Sequence, residues 1–171
     1  MAATRIIGLA GWSGSGKTTL VRRLLPALAG HGLAVSTVKH AHHAFDVDQP
    51  GKDSHVHRQA GAVEVMVASS ARWALMHELR GAPEPPLSDL LAHMTPVDLV
   101  IVEGFKREPH AKIEVHRPAI GKPLLAPDDP HIVAVATDAP IAGLDRPALP
   151  LDDAETIARF VIRHLGLPGR V

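Results

Sequence analysis

Apolar residues in this chain fall into short runs of strand length, separated by stretches of helical spacing or of mixed polar character. Arg5 to Ala10 (RIIGLA) reads as a short buried strand. From Thr18 to Leu28, the residues Leu20, Val21, Leu24, Leu25 and Leu28 recur at helical spacing and form one apolar stripe. Pro26 falls inside this helix, where a kink or thinned hydrogen bonding is expected, and Gly30 and Gly32 end it. Ala34 to Val38 follows as a second strand, and the order strand, helix, strand predicts a parallel βαβ unit. Ala62 to Ala68 (AVEVMVA) and Arg72 to Glu78 (RWALMHE) have strand character but imperfect alternation. They are read as an antiparallel pair at 62 to 78, outside the main sheet. Leu87 to Met94 predicts a short helix, Val97 to Val102 the clearest buried strand, and Ala111 to Val115 another short strand. Residues 117 to 130 hold four prolines and read as loop, and His131 to Ala136 reads as the last buried strand. Asp152 to Leu165 predicts a terminal helix, with Asp152 and Glu155 at capping-box spacing, Gly166 as the stop, and Ile157, Phe160, Val161 and Leu165 as the apolar face. The alternation of strands and helices implies an α/β fold with a mostly parallel sheet flanked by helices. No internal repeat or second domain boundary is visible, so residues 1 to 171 are expected to form a single domain.

The junction between the first strand and the first helix carries a specific chemistry. Gly11-Trp12-Ser13-Gly14-Ser15-Gly16-Lys17-Thr18-Thr19 fits the phosphate-binding loop G-x-x-x-x-G-K-[ST], with Gly11, Gly16, Lys17 and Thr18 on the defining positions. Glycines let the backbone curl until several N–H groups point inward, and the helix adds its positive end. Lys17 would reach the β- and γ-phosphates and the Thr18 hydroxyl would hold Mg²⁺. The fold is therefore expected to be P-loop NTPase-like, with Gly11, Ser13, Gly14, Ser15, Gly16, Lys17, Thr18 and Thr19 around the nucleotide.

Composition narrows the setting more than the chemistry. Eighteen basic and eighteen acidic residues cancel, so nothing indicates a general nucleic-acid or membrane binder. Cysteine is absent, which excludes disulfides and thiolate metal sites and fits the cytoplasm. No apolar run approaches the roughly eighteen residues of a membrane span, and a first strand beginning at Arg5 leaves no room for a signal peptide.

A phosphate loop needs a second element that anchors the metal from a neighbouring strand. In Asp98-Leu99-Val100-Ile101-Val102-Glu103, four apolar residues place Glu103 at the strand's carboxyl end, where open α/β sheets bind ligands. Glu103 is the expected metal or water partner, together with Thr18 at the metal. Asp98, about 16 Å away at strand rise, would lie at the opposite edge. Residues 39 to 61 abandon periodicity and contain five of the twelve histidines, three aspartates, two lysines and one arginine. Polar stretches of this length in a compact domain are usually functional or disordered. Asp46, Asp48 and Asp53 are candidate metal or water partners, with Asp53 counted with Lys17 and Glu103 as catalytic. Lys39, His40, Lys52 and Arg58 are candidate phosphate contacts. A transition-metal site made of His40, His42, His43, His55 and His57 is the rival reading of this segment, and a plain solvated loop is the third. Lys106, Arg107 and Lys112 add a basic group that could make a second anionic pocket beside the nucleotide. The guanine signature N-K-x-D is absent. Asp138 at the end of a buried strand could accept hydrogen bonds from guanine N1–H and N2–H₂, or be a turn residue before Pro140.

Taken together, G-W-S-G-S-G-K-T-T-L, K-H-A-H-H-x-F-D-x-D-x-P-G-K-D-S with R-x-A-G-A after it, and D-L-V-I-V-E-G-F-K followed by K-I-E-V resemble the MobB family, the adapter proteins of molybdopterin-guanine dinucleotide biosynthesis. Val67-Ala68-Ser69 with Arg72-Trp73-Ala74-Leu75-Met76, and Val133 to Asp138, are similar to it as well. The resemblance covers nearly the whole chain. The proline-rich stretch at 117 to 130 departs from the family pattern and is expected to touch no motif. The resemblance implies a GTP-binding protein with weak GTPase activity. It implies a homodimer working beside the guanylyltransferase MobA, with the histidine-rich run contacting molybdopterin. The phosphate-loop role carries over onto Gly14 to Thr19 and the Mg²⁺ role onto Thr18 and Glu103. Residues 62 to 78 and the Lys112 strand are the candidate edges for pairing with a second subunit. The competing functions are a small-molecule kinase using Lys39 or Asp53 near its acceptor, and a metallochaperone coupling GTP to metal insertion. Slow hydrolysis is favoured over a kinase because no arginine-rich helical lid is evident. It is also favoured because no arginine finger is evident, a group associated with about 10³–10⁵ in rate.

Overall fold

The computed structural model describes residues 4–41, 45–106 and 108–168. They group into two compact units, one built from the chain up to His40 and from Met94 onward, the other from Ala41–His93.

The first unit is a six-stranded sheet in the order β2-β5-β1-β6-β7-β8, in which every pairing is parallel. Its strands are β1 (Arg5–Ala10), β2 (Val35–Lys39), β5 (Leu99–Glu103), β6 (Lys112–His116), β7 (Ile132–Thr137) and β8 (Ala148–Pro150). The helices α1 (Lys17–Gly30) and α4 (Ala154–Leu165) pack on each other and on one face of this sheet. Leu20, Leu24 and Leu28 of α1 and Ile157, Ala158, Val161 and Ile162 of α4 interlock with Ile7, Leu9, Leu99, Ile101, Ile113, Val115, Ala134 and Ala136. The stripes read from the sequence are the faces that pack, with Ala158 and Ile162 buried more deeply than Phe160 and Leu165. On the other face, a smaller cluster of Ala10, Ala126, Ile132 and Val135 is covered by Leu124, Leu125, Ile141 and Leu144 from two loops.

Several expectations are corrected. Strand β7 is not the last, because β8 follows it as a three-residue edge strand. The cap of α4 is Asp153, whose side chain accepts from the Thr156 N–H at 3.0 Å, while Asp152 sits 3.3 Å from Arg23 on α1. Strand β6 is no edge, since it lies between β1 and β7 and all five of its residues are buried. Its polar side chains Lys112 and Glu114 are used internally. Glu114 accepts the N–H groups of Leu125 and Ala126 at 2.9 and 2.8 Å. Lys112 Nζ donates to Glu108 O at 2.8 Å and to Asp129 at 3.1 Å. These bonds hold the proline-rich stretch, which contains two short 3₁₀ turns at Pro118–Ile120 and Ala126–Asp128. Lys112 is thereby removed from the anionic pocket the sequence suggested.

The second unit carries α2 (Asp53–Gln59), α3 (Leu87–Ala92) and the antiparallel pair of β3 (Glu64–Ala68) and β4 (Trp73–His77), separate from the main sheet as expected. Helix α2 lies inside the stretch that showed no periodicity. It buries none of its residues, so it had no apolar stripe to reveal it.

Candidate functional site

Strands β1, β5 and β2 end side by side, with Leu9 opposite Glu103 and Glu103 opposite Lys39. Beyond β1, Gly11 takes φ 142° and Gly16 φ 100°. Gly11 has no room for a side chain, because a Cβ there would lie 2.5 Å from Val115 O and 2.8 Å from Ser15 Oγ. Gly16 forms the N-cap of α1, and no side chain caps this helix or places an acid in its first turn. The N-terminal N–H groups and the dipole of a fourteen-residue helix therefore point at the loop, an arrangement that can receive an anion.

Lys17 is the first residue of that helix. Its ammonium folds over the loop and donates to Gly11 O and Trp12 O, both at 2.9 Å. Its pKa is pushed below the usual lysine value, first by burial and then by Lys106 and Lys39, while Glu103 acts in the opposite direction. Burial outweighs the attraction of Glu103, and a phosphate group beside the ammonium would offset that cost. Ser15 Oγ is buried without a hydrogen-bond partner in the same loop. Ser13, Gly14, Thr18 and Thr19 are exposed or open at its rim, and a Cβ on Gly14 would meet nothing within 4 Å.

The oxygen donors of Thr18 and half-buried Glu103 are of the kind Mg²⁺ selects. Such a site needs only one or two protein oxygens when the nucleotide and water supply the rest. Among the described residues, no group of three or more His, Asp or Glu side chains is placed to hold a metal ion. His42 and His43, invoked for a transition-metal site, and Arg107 of the basic group lie outside the described residues.

His40 belongs to this unit and braces Glu103 from behind. Its N–H donates to Glu103 O at 2.8 Å, its ring lies 4.9 Å from the Phe105 ring, and a Cβ on Gly104 would stand 2.5 Å from His40 Cβ. Gly104 and Phe105 both adopt positive φ, at 98° and 48°, so the turn that ends β5 is strained and tightly fixed. Asp98 sits at the opposite edge, as expected, and accepts the Ala34 N–H at 2.8 Å.

The proline-rich stretch does reach a motif, which corrects the expectation that it touches none. Trp12 of the loop donates its indole N–H to Pro123 O at 2.8 Å. Lys122 and Lys106 place their ammonium groups 5.7 and 6.0 Å from the Trp12 ring centre. Arg117, at the end of β6, lies against Gly16 and forms an ion pair with Asp138 at the end of β7. Neither Lys122 nor Arg117 stands in a motif of the sequence. Arg117 directly follows β6, which ends level with β7 before Asp138, a register that the sequence does not show.

Asp53 opens α2 in the second unit. Arg58, expected at a phosphate, is instead a hub there. Its guanidinium lies 2.6 Å from Asp46, 2.8 Å from Glu78 and 3.2 Å from Asp48. The Asp48 N–H and the Arg58 guanidinium hold the Asp46 carboxyl below its ordinary range. Asp48 is also lowered: burial opposes its charge, and the Ser54 hydroxyl, the Gln49 N–H and Arg58 outweigh it. Asp46, Asp48 and Arg58 thus balance their charges within the unit, although Arg58 Nε and Asp48 Oδ2, 3.2 Å apart, make no hydrogen bond.

A parallel sheet whose first strand feeds a glycine loop and a helix, with a lysine in the loop and a carboxylate ending the next strand, defines a P-loop nucleotide-binding fold. The family model for molybdopterin guanine dinucleotide synthesis protein B matches residues 6–138, and the chain belongs to this MobB family. It is 45% identical over 163 residues to the molybdopterin-guanine dinucleotide biosynthesis adapter protein of Escherichia coli strain K12, spanning 94% of this chain and 93% of that one. It is 43% identical over 159 residues to the adapter protein of the same name from Haemophilus influenzae, spanning 91% and 86%. Among solved structures, a molybdopterin-guanine biosynthesis protein B superposes with a TM-score of 0.74 at 29% identity, over 94% of this chain and 99% of that chain. A MobB homolog from Bacillus stearothermophilus does so with a TM-score of 0.69 at 27% identity, over 94% and 97%.

Proposed function

We propose that this protein is a GTP-binding adapter that hydrolyses GTP slowly and assists the attachment of GMP to molybdopterin, acting in the cytoplasm beside the guanylyltransferase MobA. The observation that carries the nucleotide part is Lys17, a partly buried cation that donates to its own loop's carbonyls at the uncapped start of α1. Membership of the MobB family supports the pathway, because the relatives bear that role in their names. Lys17 and the loop N–H groups bind the phosphates, and Thr18 and Glu103 hold Mg²⁺, which when bound neutralises charge on the phosphates. The backbone at Glu103 is held by the His40 N–H, and its carboxylate orients water. Asp138 accepts the guanine N1–H and N2–H₂ donors. Asp53 is the third catalytic candidate beside Lys17 and Glu103, and the histidine-rich run contacts molybdopterin.

A homodimer is part of this reading. On one face of the second unit's strand pair, Met66 stands opposite Leu75 and Ala68 opposite Trp73. Met66 and Trp73 are 61% and 62% exposed. An apolar ladder of this kind on a two-stranded sheet fits a second copy of the chain.

Calorimetric titration with GTP and ATP in the presence of Mg²⁺ tests the assignment. GTP should bind more tightly than ATP, Lys17→Ala should lose GTP affinity, and Glu103→Gln should bind GTP but release phosphate more slowly. Unchanged GTP affinity in Lys17→Ala would overturn it.

A further inference from the structure

Arg117 is held in place from three directions. It precedes Pro118, which keeps its backbone extended at φ −124° and ψ 109°. Its carbonyl accepts the Ile120 N–H at 3.1 Å, closing the first turn of the proline-rich stretch. That stretch is fastened further on by Trp12 to Pro123 O and by buried Glu114 to the N–H groups of Leu125 and Ala126. The side chain then bridges two pieces of the site. A Cβ on Gly16 would lie 3.5 Å from its Nε and 3.8 Å from Nη2, so the guanidinium rests on the phosphate loop where glycine leaves space. Its Nη1 donates to Asp138 Oδ2.

The backbone at Asp138 is itself fixed. Thr137 Oγ1 donates to Ala139 O at 3.0 Å and accepts the Ala139 N–H at 3.3 Å. What remains free is the rotation of the exposed Asp138 side chain, and Arg117 is the group that sets it. A carboxylate has about four lone-pair sites, so one bond from Arg117 leaves both oxygens able to accept from a base.

We propose that Arg117 is a positioning residue for base selection, holding the Asp138 carboxylate at a fixed distance from the phosphate loop so that it meets guanine and not adenine. The inference rests on the reading that Asp138 contacts the base. A carboxylate accepts from guanine N1–H and N2–H₂ but faces a lone pair at adenine N1, so the discrimination depends on its orientation being set before the nucleotide arrives. A rigid tie between the base reader and the loop that holds the phosphates does that, since both ends of one ligand are then measured by one frame.

The test is calorimetric titration of GTP, ATP and xanthosine triphosphate with Mg²⁺ on the full chain and on Arg117→Ala, Arg117→Lys and Asp138→Asn. Arg117→Ala should weaken GTP by about tenfold, the worth of one lost charge-assisted bond, while ATP affinity stays the same. Arg117→Lys, which keeps one donor, should recover part of the preference. A loss shared equally by GTP and ATP, or no loss, overturns the proposal, since a phosphate contact or a purely structural role would move both nucleotides together. Asp138→Asn separates the two levels. It should lose the preference for GTP and gain affinity for xanthosine triphosphate. If it keeps the GTP preference, the reading of Asp138 itself is wrong. If it loses the preference while Arg117→Ala keeps it, only the role of Arg117 falls. Both Arg117 and Asp138 are partly exposed, so the variants should fold, and their thermal midpoints check this.

Discussion

The two units of this chain are stabilised by different means. In the first, helices α1 and α4 and the sheet share one continuous apolar cluster, and the residues that carry the site stand at the ends of its strands. In the second, Val65 and Leu87 are the only buried hydrophobic side chains among the described residues. Among the described residues, the nine exposed large hydrophobic ones, from Phe45 to Leu79, all fall within it. Its order comes from the ion pairs around Arg58 and from Arg80, which donates to Arg58 O and Ala62 O at 2.8 and 2.9 Å. A packed core suits a site that must hold its geometry. A unit with apolar side chains turned outward and charges turned inward suits contact with something else.

The largest effect should come from the packed unit. Leu24 is fully buried between α1 and the sheet, and Leu24→Ala should cost about 3 kcal/mol, read as a lowered midpoint in urea unfolding. A cost below about 1 kcal/mol would mean that this core is looser than its burial implies. Arg58→Ala comes next and acts on the other unit. With the hub removed, Asp46, Asp48 and Glu78 face one another without their cation. Hydrogen exchange should then quicken through α2 and β3 while α1 and β1 keep their protection. Equal loss of protection in both units would show that they unfold as one.

The contrast also governs what could be read from the sequence. Strands β1, β5 and β7 were legible because each is a run of apolar residues, and the phosphate loop was legible because its residue types are set by backbone geometry and by phosphate chemistry. The burial of β6 was not. KIEVH alternates as a half-exposed strand would, yet every residue is buried, because the partners of Lys112 and Glu114 lie up to 17 residues downstream in a stretch that reads as mere loop. Arg58 could not be told from a phosphate ligand for a related reason: its three carboxylate partners are spread from residue 46 to residue 78, and only folding brings them to it. Helix α2 lacked an apolar stripe, and β8 is three residues long with a proline at its end. The cap of α4 was misplaced by one residue because Asp152 and Asp153 both stand three residues before a suitable partner. Apolar periodicity reports a core. Polar side chains satisfied at long range leave no period behind.

A smaller effect probes the functional end of the packed unit. The Lys17 pKa is lowered in the free protein, chiefly by burial, and a phosphate beside the ammonium would raise it again in the complex. The complex then holds more protons than the free components as the pH nears the lowered value. Affinity for nucleotide should therefore fall as pH rises through that value, by up to about one log unit per pH unit. Calorimetry from neutral to alkaline pH, in two buffers of different ionisation enthalpy, should register proton uptake, and Lys17→Arg should abolish it. Affinity that does not change with pH in the unmodified protein would show that no proton at Lys17 is linked to binding.

The smallest effect on stability should come from the opposite kind of residue to Leu24. Trp73 is large and apolar but 62% exposed on the outer face of β4, beside the Met66 and Leu75 pair. In the single chain its side chain is already in water. Trp73→Ser should then change the unfolding free energy by no more than about 0.5 kcal/mol when measured at concentrations where the chain is a monomer. The same substitution should move the protein toward monomer in sedimentation velocity at higher concentration, because the removed area is what a second copy would cover. Matched against Leu24→Ala, the pair of variants separates the two uses of apolar surface in one chain: Leu24→Ala loses stability and leaves the exposed ladder in place, whereas Trp73→Ser keeps stability and loses the contact between copies. A Trp73→Ser variant that unfolds readily as a monomer, with its association unchanged, would place Trp73 in a core the exposed face does not suggest and would remove the β3–β4 ladder as the contact between copies.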